Sequence, residues 1–201
     1  MTSKTGSILV LVVVVLVLVV LPAAAAGSEA NVKMSASELN AACAAGGGHI
    51  AVSHSLLIKG GTATLTGECD ITPSRGAKVM ILAARIDATH GDFDICFTPA
   101  CGNDANVMII RSTITACPAC GLQIYAPGAG AKIKIMKSRL TSNPVGGGGT
   151  IGGFPARGTT VISEGKVKVM KTTFLLDTSP VIHGSRRCFA MKNTPSTATC
   201  S

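Results

Sequence analysis

The sequence predicts an all-β solenoid, a coil of short strands stacked turn upon turn behind a short N-terminal capping helix. Three observations lead there: a nine-residue pattern written four times, a core vocabulary poor in aromatic rings, and no amphipathic helical stretch between the copies. The copies occupy 79–87, 107–115, 133–141 and 167–175, with starts 28, 26 and 34 residues apart. Counting from zero, position 0 is Val79, Val107, Ile133 and Val167, and position 2 is Ile81, Ile109, Ile135 and Val169. Apolar β-branched residues in alternation make a strand with one buried face. Position 5 is small (Ala84, Ser112, Ser138, Thr172) and position 7 is apolar (Ile86, Ile114, Leu140, Phe174), so a buried face resumes after a bend. One turn cannot bury such a row alone, but a second turn stacked on it can. Tryptophan is absent, Tyr125 stands alone and there are five phenylalanines, which suits rows of small aliphatic side chains.

At the N-terminus, Lys4, the aliphatic run 8–21, Pro22 and the small residues 23–27 have the charge, length and cleavage chemistry of a secretory signal peptide, expected at 1–26. The competing reading is a retained membrane anchor, which needs about 20 apolar residues. The remainder suits one domain. All eight cysteines lie in it, an even number that on the secretory route reads as disulfides. The local pairs Cys96 with Cys101 and Cys188 with Cys200 suit that reading, while the full connectivity stays open. The Cys-Pro-Ala-Cys run at 117–120 also has zinc-ligand spacing, but no second well-spaced Cys/His pair accompanies it. No helix follows Cys117 to lower its thiol pKa in the manner of a redox site.

Residues 27–48 form an N-terminal segment and the capping helix. Ser35 and Glu38 have capping-box spacing, Leu39, Ala42 and Cys43 share a face, and Gly46 to Gly48 end the helix. The coil is expected over 49–187. Residues 49–72 supply one or two early rungs through Ile50, Val52, Leu57, Ala63, Leu65 and Ile71. Stretches 94–97, 121–126 and 159–163 read as further strands between copies. The glycine-rich run 144–158 reads as a loop leaving the coil. After Pro180 the pattern fades, and 188–201 is a tail held by cysteines.

With these residues in view, the chain resembles the right-handed parallel β-helix of the pectate-lyase-like superfamily, whose coils carry a Val-x-Ile-x-Asn-small-x-Phe pattern. Residues 35–52 are similar to the helix and first strand that cap such domains, so the resemblance covers 35–187. One departure stands out. Where the family places a ladder of asparagines, position 4 holds Ala83, Arg111, Lys137 and Lys171. The resemblance then implies either a different turn or no amide ladder.

Many enzymes of this fold act on acidic polysaccharides. Of the polygalacturonase signatures this chain holds only fragments, Arg-Ile-Asp at 85–87 and His-Gly at 183–184, and the Asp-Pro-His-Glu of mannuronan epimerases is absent. The one acidic cluster is Asp87, His90, Asp92 and Asp94. It reads either as calcium ligands Asp92 and Asp94, with Arg85 or His90 placed for proton transfer, or as a solvated turn between rungs. Other rungs offer few carboxylates to complete a calcium shell, so no cofactor is expected, with calcium at Asp92 and Asp94 as the alternative. No nucleotide-binding or GxSxG motif occurs.

Charge carries the functional expectation. Without residues 1–26 the chain has 17 Lys and Arg against 10 Asp and Glu. Period 2 sends Lys134 and Lys168 outward together, and Arg111 shares position 4 with Lys137 and Lys171. Rungs lie roughly 4.8 Å apart, so such like charges repel. Arg111, Lys134, Lys137, Arg139, Lys168 and Lys171 are therefore the candidate ligand-binding residues, forming a rail for an acidic polysaccharide or other polyanion. On spacing alone Lys33, Lys59 and Lys192 fall outside it. The expected protein is secreted or cell-surface and non-catalytic. The alternatives are a small polysaccharide lyase or epimerase, and a structural or adhesive protein whose lysines only guard a β surface. Secretion sets nucleic acid aside as a native partner, and a membrane enters only if the N-terminal segment is retained. Position 3 (Leu82, Ile110, Met136, Met170) points outward, to be covered by the glycine loop, packed in a corner or left as a partner surface.

Overall fold

The computed structural model describes residues 31–96, 101–117, 119–142, 150–151, 154–155, 158–177 and 179–201. The segment 1–26 and most of the glycine-rich run 144–158 lie outside the described residues. Three all-parallel sheets enclose the core. Sheet I holds β1 (Val32–Met34), β3 (Ser55–Lys59), β6 (Lys78–Leu82), β9 (Asn106–Ile110), β12 (Lys132–Met136), β17 (Lys166–Met170) and β20 (Arg187–Met191), in that order. Sheet II stacks β4 (Thr62–Thr64), β7 (Arg85–Asp87), β10 (Thr113–Thr115), β13 (Arg139–Thr141) and β18 (Thr173–Leu175). Sheet III stacks β2 (His49–Val52), β5 (Asp70–Pro73), β8 (Asp94–Ile95), β11 (Leu122–Ala126), β16 (Thr159–Ser163) and β19 (Val181–Gly184). Between β13 and β16, β14 (Thr150–Ile151) and β15 (Phe154–Pro155) form a separate antiparallel pair. Each coil visits sheets I, II and III in turn, which makes the fold a parallel β-helix.

The nine-residue pattern is the sheet I strand, the bend and the sheet II strand of one coil. Val79, Val107, Ile133 and Val167 stack as register partners, as do Ile86, Ile114, Leu140 and Phe174. All eight are buried, so positions 0 and 7 line the interior as their periodicity requires. The early rung departs by one residue. Leu56 and Ile58 face inward opposite Val79 and Ile81, and Leu57, expected in the core, faces out. The run Leu56-Leu57-Ile58 is apolar at both parities, and a one-residue shift exchanges the faces.

The bend answers the question left by the missing asparagines. Ala83, Arg111, Lys137, Lys171 and Lys192 all have φ between 50° and 56°, and Gly60 has 65°. The turn therefore keeps left-handed geometry without amides. Their N–H groups donate to the next rung in an unbroken row: Ala83 to Ile110 O, Arg111 to Met136 O, Lys137 to Met170 O and Lys171 to Met191 O, each at 3.0 Å. One residue on, buried hydroxyls replace the amide ladder. The Ser112 Oγ accepts from Ala84 N at 3.3 Å, and the Ser138 Oγ accepts from Ser112 N at 3.3 Å. At the last rung Asn193 Oδ1 accepts from Thr172 N at 3.1 Å. Each hydroxyl also donates to a carbonyl two residues back, Ser138 to Met136 O at 2.9 Å. Ser138→Ala deprives the buried Ser112 N–H of this acceptor and is expected to cost about 1–3 kcal/mol. Urea unfolding measures it, and an unchanged midpoint would show that the ladder does not hold the bend.

Both ends of the coil are closed by cysteines. Helix α1 (Ala36–Ala45) starts where Glu38 Oε2 accepts from Ser35 N at 2.6 Å and buries Ala36, Leu39 and Cys43 against the first coil. Cys43 is bonded to Cys69, just before β5. At the other end, β20 crosses position 188 and the tail runs on as a partial coil, with Thr194 bridging Thr173 and Cys200 bridging Ile182. Cys188–Cys200 closes that coil, as expected, and Cys96–Cys101 also pairs as expected. Cys117–Cys120 is a disulfide, which removes the zinc reading of that run.

Candidate functional site: the basic face of sheet I

Outward positions on sheet I fall into columns fixed by strand register. Lys132, Lys166 and Arg187 occupy three successive rungs of one column, and Lys134 and Lys168 are partners in the next, followed by Phe189. Along the bend, Arg111, Lys137, Lys171 and Lys192 form a third column in four successive rungs, joined by the backbone row described above. None of the seven strands carries Asp or Glu. Among the described residues, no carboxylate lies within 4 Å of a sheet I cation. A groove of about 370 Å³ opens over the last rungs, lined by Lys132, Lys134, Lys166, Lys168, Arg187 and Phe189. Lys168 Nζ sits 5.5 Å from the centre of the Phe189 ring, a cation–π contact that leaves the groove with one aromatic wall.

Of the six candidate residues, Arg111, Lys137 and Lys171 are thus brought into one column and Lys134 with Lys168 into another. Arg139 is set apart. It faces out from sheet II between Thr113 and Thr173. Sequence spacing missed Arg187, Phe189 and Lys192, and it placed Lys33 and Lys59 off the face to which they belong. The signal for the last rung is faint because its inward positions are Cys188 and Ala190, which lack β-branched bulk. Lys192 and Asn193 at positions 4 and 5 are the trace that remains.

The acidic cluster separates. Asp87 lies on sheet II, where Thr89 donates to its Oδ1 through Oγ1 at 2.8 Å and N at 3.1 Å, holding its carboxyl below the ordinary range. Asp92 and Asp94 lie on the sheet III side, lining a cavity of about 10 Å³ with Glu68, Cys69 and Asp70. Asp94 is no solvated turn residue. It is buried, is the register partner of Asp70, and its Oδ1 accepts from Gln123 N at 2.6 Å. Burial, then the Asp92 charge, push its carboxyl up to about 8, against the lowering effect of that hydrogen bond. Burial also raises Asp92. Among the described residues no group of three or more His, Cys, Asp or Glu side chains is arranged to hold a metal ion. The two enzyme-motif fragments do not meet, since 85–87 is β7 on sheet II and 183–184 ends β19 on sheet III, three rungs further along. Among the described residues, the basic face is where the candidate residues read from the sequence, other than Arg139, are brought together by the structure. Comparison with protein-family models, curated proteins and solved structures finds no match for this chain.

Proposed function

We propose that this is a secreted or cell-surface member of the pectate-lyase-like superfamily that binds acidic polysaccharide through sheet I and its corner, without catalysis. The observation that carries the reading is where the corner cations sit. A left-handed backbone costs an ordinary L-residue roughly 1–2 kcal/mol, a strain that glycine avoids and asparagine tolerates. Arg111, Lys137, Lys171 and Lys192 keep side chains there, one above another, although like charges stacked at rung spacing repel. Strain and repulsion maintained together in one column mark a function more readily than a solvated surface does. Four disulfides support passage through an oxidising compartment. Among the described residues, no helix is long and apolar enough to cross a membrane.

The test compares two variants of equal charge loss on polygalacturonate and alginate resins. Lys134→Gln, Lys137→Gln and Lys168→Gln together remove three charges from the face, whereas Arg75→Gln, Arg85→Gln and Arg186→Gln remove three from outside the sheet I strands and their corner. Exposed charges are screened over about 8–10 Å near physiological ionic strength, so the wild type should elute with modest salt. The first variant should elute markedly earlier than the second. Identical elution would mean that only net charge matters, and the rail would be abandoned.

A further inference from the structure

Charge accounts for only part of the outer face of sheet I. Between the column of Lys132, Lys166 and Arg187 and the column along the bend run two middle columns whose apolar members hold five of the seven methionines: Met80 and Met108 in the column that Lys134, Lys168 and Phe189 continue, and Met136, Met170 and Met191 in the next. Leu57, Leu82 and Ile110 complete this apolar stripe at the earlier rungs. These side chains point away from the core and are half-buried, apart from Met191, which is 40% exposed. Seven strands at sheet spacing make the face about 30 Å long and, across five residues, about 16 Å wide. An outward apolar stripe along such a face marks an interaction surface.

We propose that this face docks on an anionic lipid bilayer, its stripe set into the headgroup layer and its flanking cations on the phosphates. Two features favour a bilayer over a protein partner. The charge has one sign over the whole sheet, with Lys33, Lys59 and Lys78 joining the columns above and no acid among its strands. A headgroup layer rich in anionic lipid offers one sign in return, whereas protein surfaces mix both. The apolar contribution is mostly unbranched thioether, which adapts to a fluid surface and supplies no rigid anchor. Lysine and arginine stems lie along apolar surface while their heads reach phosphate. This goes beyond the polysaccharide reading, which uses the cations and leaves the stripe without a role.

The experiment takes the protein recovered from the medium of a secreting host. It measures co-sedimentation with vesicles of phosphatidylcholine alone and of phosphatidylcholine with phosphatidylglycerol, at low and high salt. The expected result is binding to the anionic vesicles at least about tenfold tighter than to the neutral ones, with a bound fraction that survives high salt. Met136→Gln with Met170→Gln and Met191→Gln changes no charge. It should abolish the salt-resistant fraction while leaving elution from polygalacturonate resin unchanged. Met80→Gln with Met108→Gln repeats the test on separate rungs should the first variant not fold. Absence of vesicle binding, its complete loss in salt, or equal binding by the methionine variants would overturn the proposal. A wild type that binds vesicles but passes through the resin would overturn the polysaccharide reading alone.

Discussion

Ile109→Asp or Ile135→Asp is expected to abolish the folded state. The two residues are register partners on β9 and β12, each fully buried, with Ile81 and Val169 on the outer sides. The core cluster they belong to is apolar, so a carboxylate placed there meets no counter-charge. An ion buried without a partner costs far more than the roughly 5–15 kcal/mol that separates folded from unfolded domains; even the protonated acid loses its hydrogen bonds to water. Stacked repeats depend on the interface with each neighbour, so a disrupted central rung separates the coil into two halves, each too short to hold its row. Circular dichroism with the disulfides intact should show the sheet signal lost or melting far below the wild type. Ile109→Val provides the graded control, at about 0.5–1.5 kcal/mol. Thr113→Asp should be mild, because Thr113 faces out between Arg85 and Arg139. If both aspartate variants melt with the wild type, the inward assignment of position 2 is wrong.

That assignment was legible in the sequence because strand periodicity is a strong signal when both inward residues are β-branched and the outward ones are polar. Ile133 and Ile135, alternating with Lys132 and Lys134, satisfy this, whereas Val107 and Ile109 alternate with the apolar Met108 and are read from their alignment with the other copies. Leu56-Leu57-Ile58 does not satisfy it, and there the parity came out reversed. The bend was harder to read. Left-handed residues announce themselves when they are glycine or asparagine, and Arg111, Lys137 and Lys171 are neither, so only the stacked geometry reveals them. The rail was legible wherever lysines repeat at a fixed position, but its end at Arg187 and Phe189 lay in a coil whose core had shrunk to cysteine and alanine. Burial on the outer side of sheet III could not be read at all. Asp94, Gln123 and Thr160 occupy outward positions yet are buried, and alternation predicts which face a side chain takes, not what covers that face.

The buried carboxyl of Asp94 should make the protein more stable in mild acid than at alkaline pH. In the unfolded chain this group loses its proton near 3.8, and in the folded chain near 8. Between those limits the folded state holds a proton that the unfolded state has released. The stabilisation is therefore complete below the unfolded value and is lost as pH rises through the folded one, by up to about 1.4 kcal/mol per pH unit. Burial is the main cause and the neighbouring acids add to it: Asp92 first, then Asp70 and Glu68, with His49 Nδ1 3.8 Å from Asp70 on the far side. Asp94→Asn keeps an oxygen for Gln123 N and removes the charge. Urea midpoints should then vary much less between pH 4 and 8, leaving the smaller slope due to Asp92, and the variant should exceed the wild type at the upper end. An undiminished slope in Asp94→Asn would place the titrating group elsewhere. Because sheet III shares no strand with sheet I, the same variant should elute from polygalacturonate resin as the wild type does. A large change in elution would instead tie the acidic cavity to the binding face.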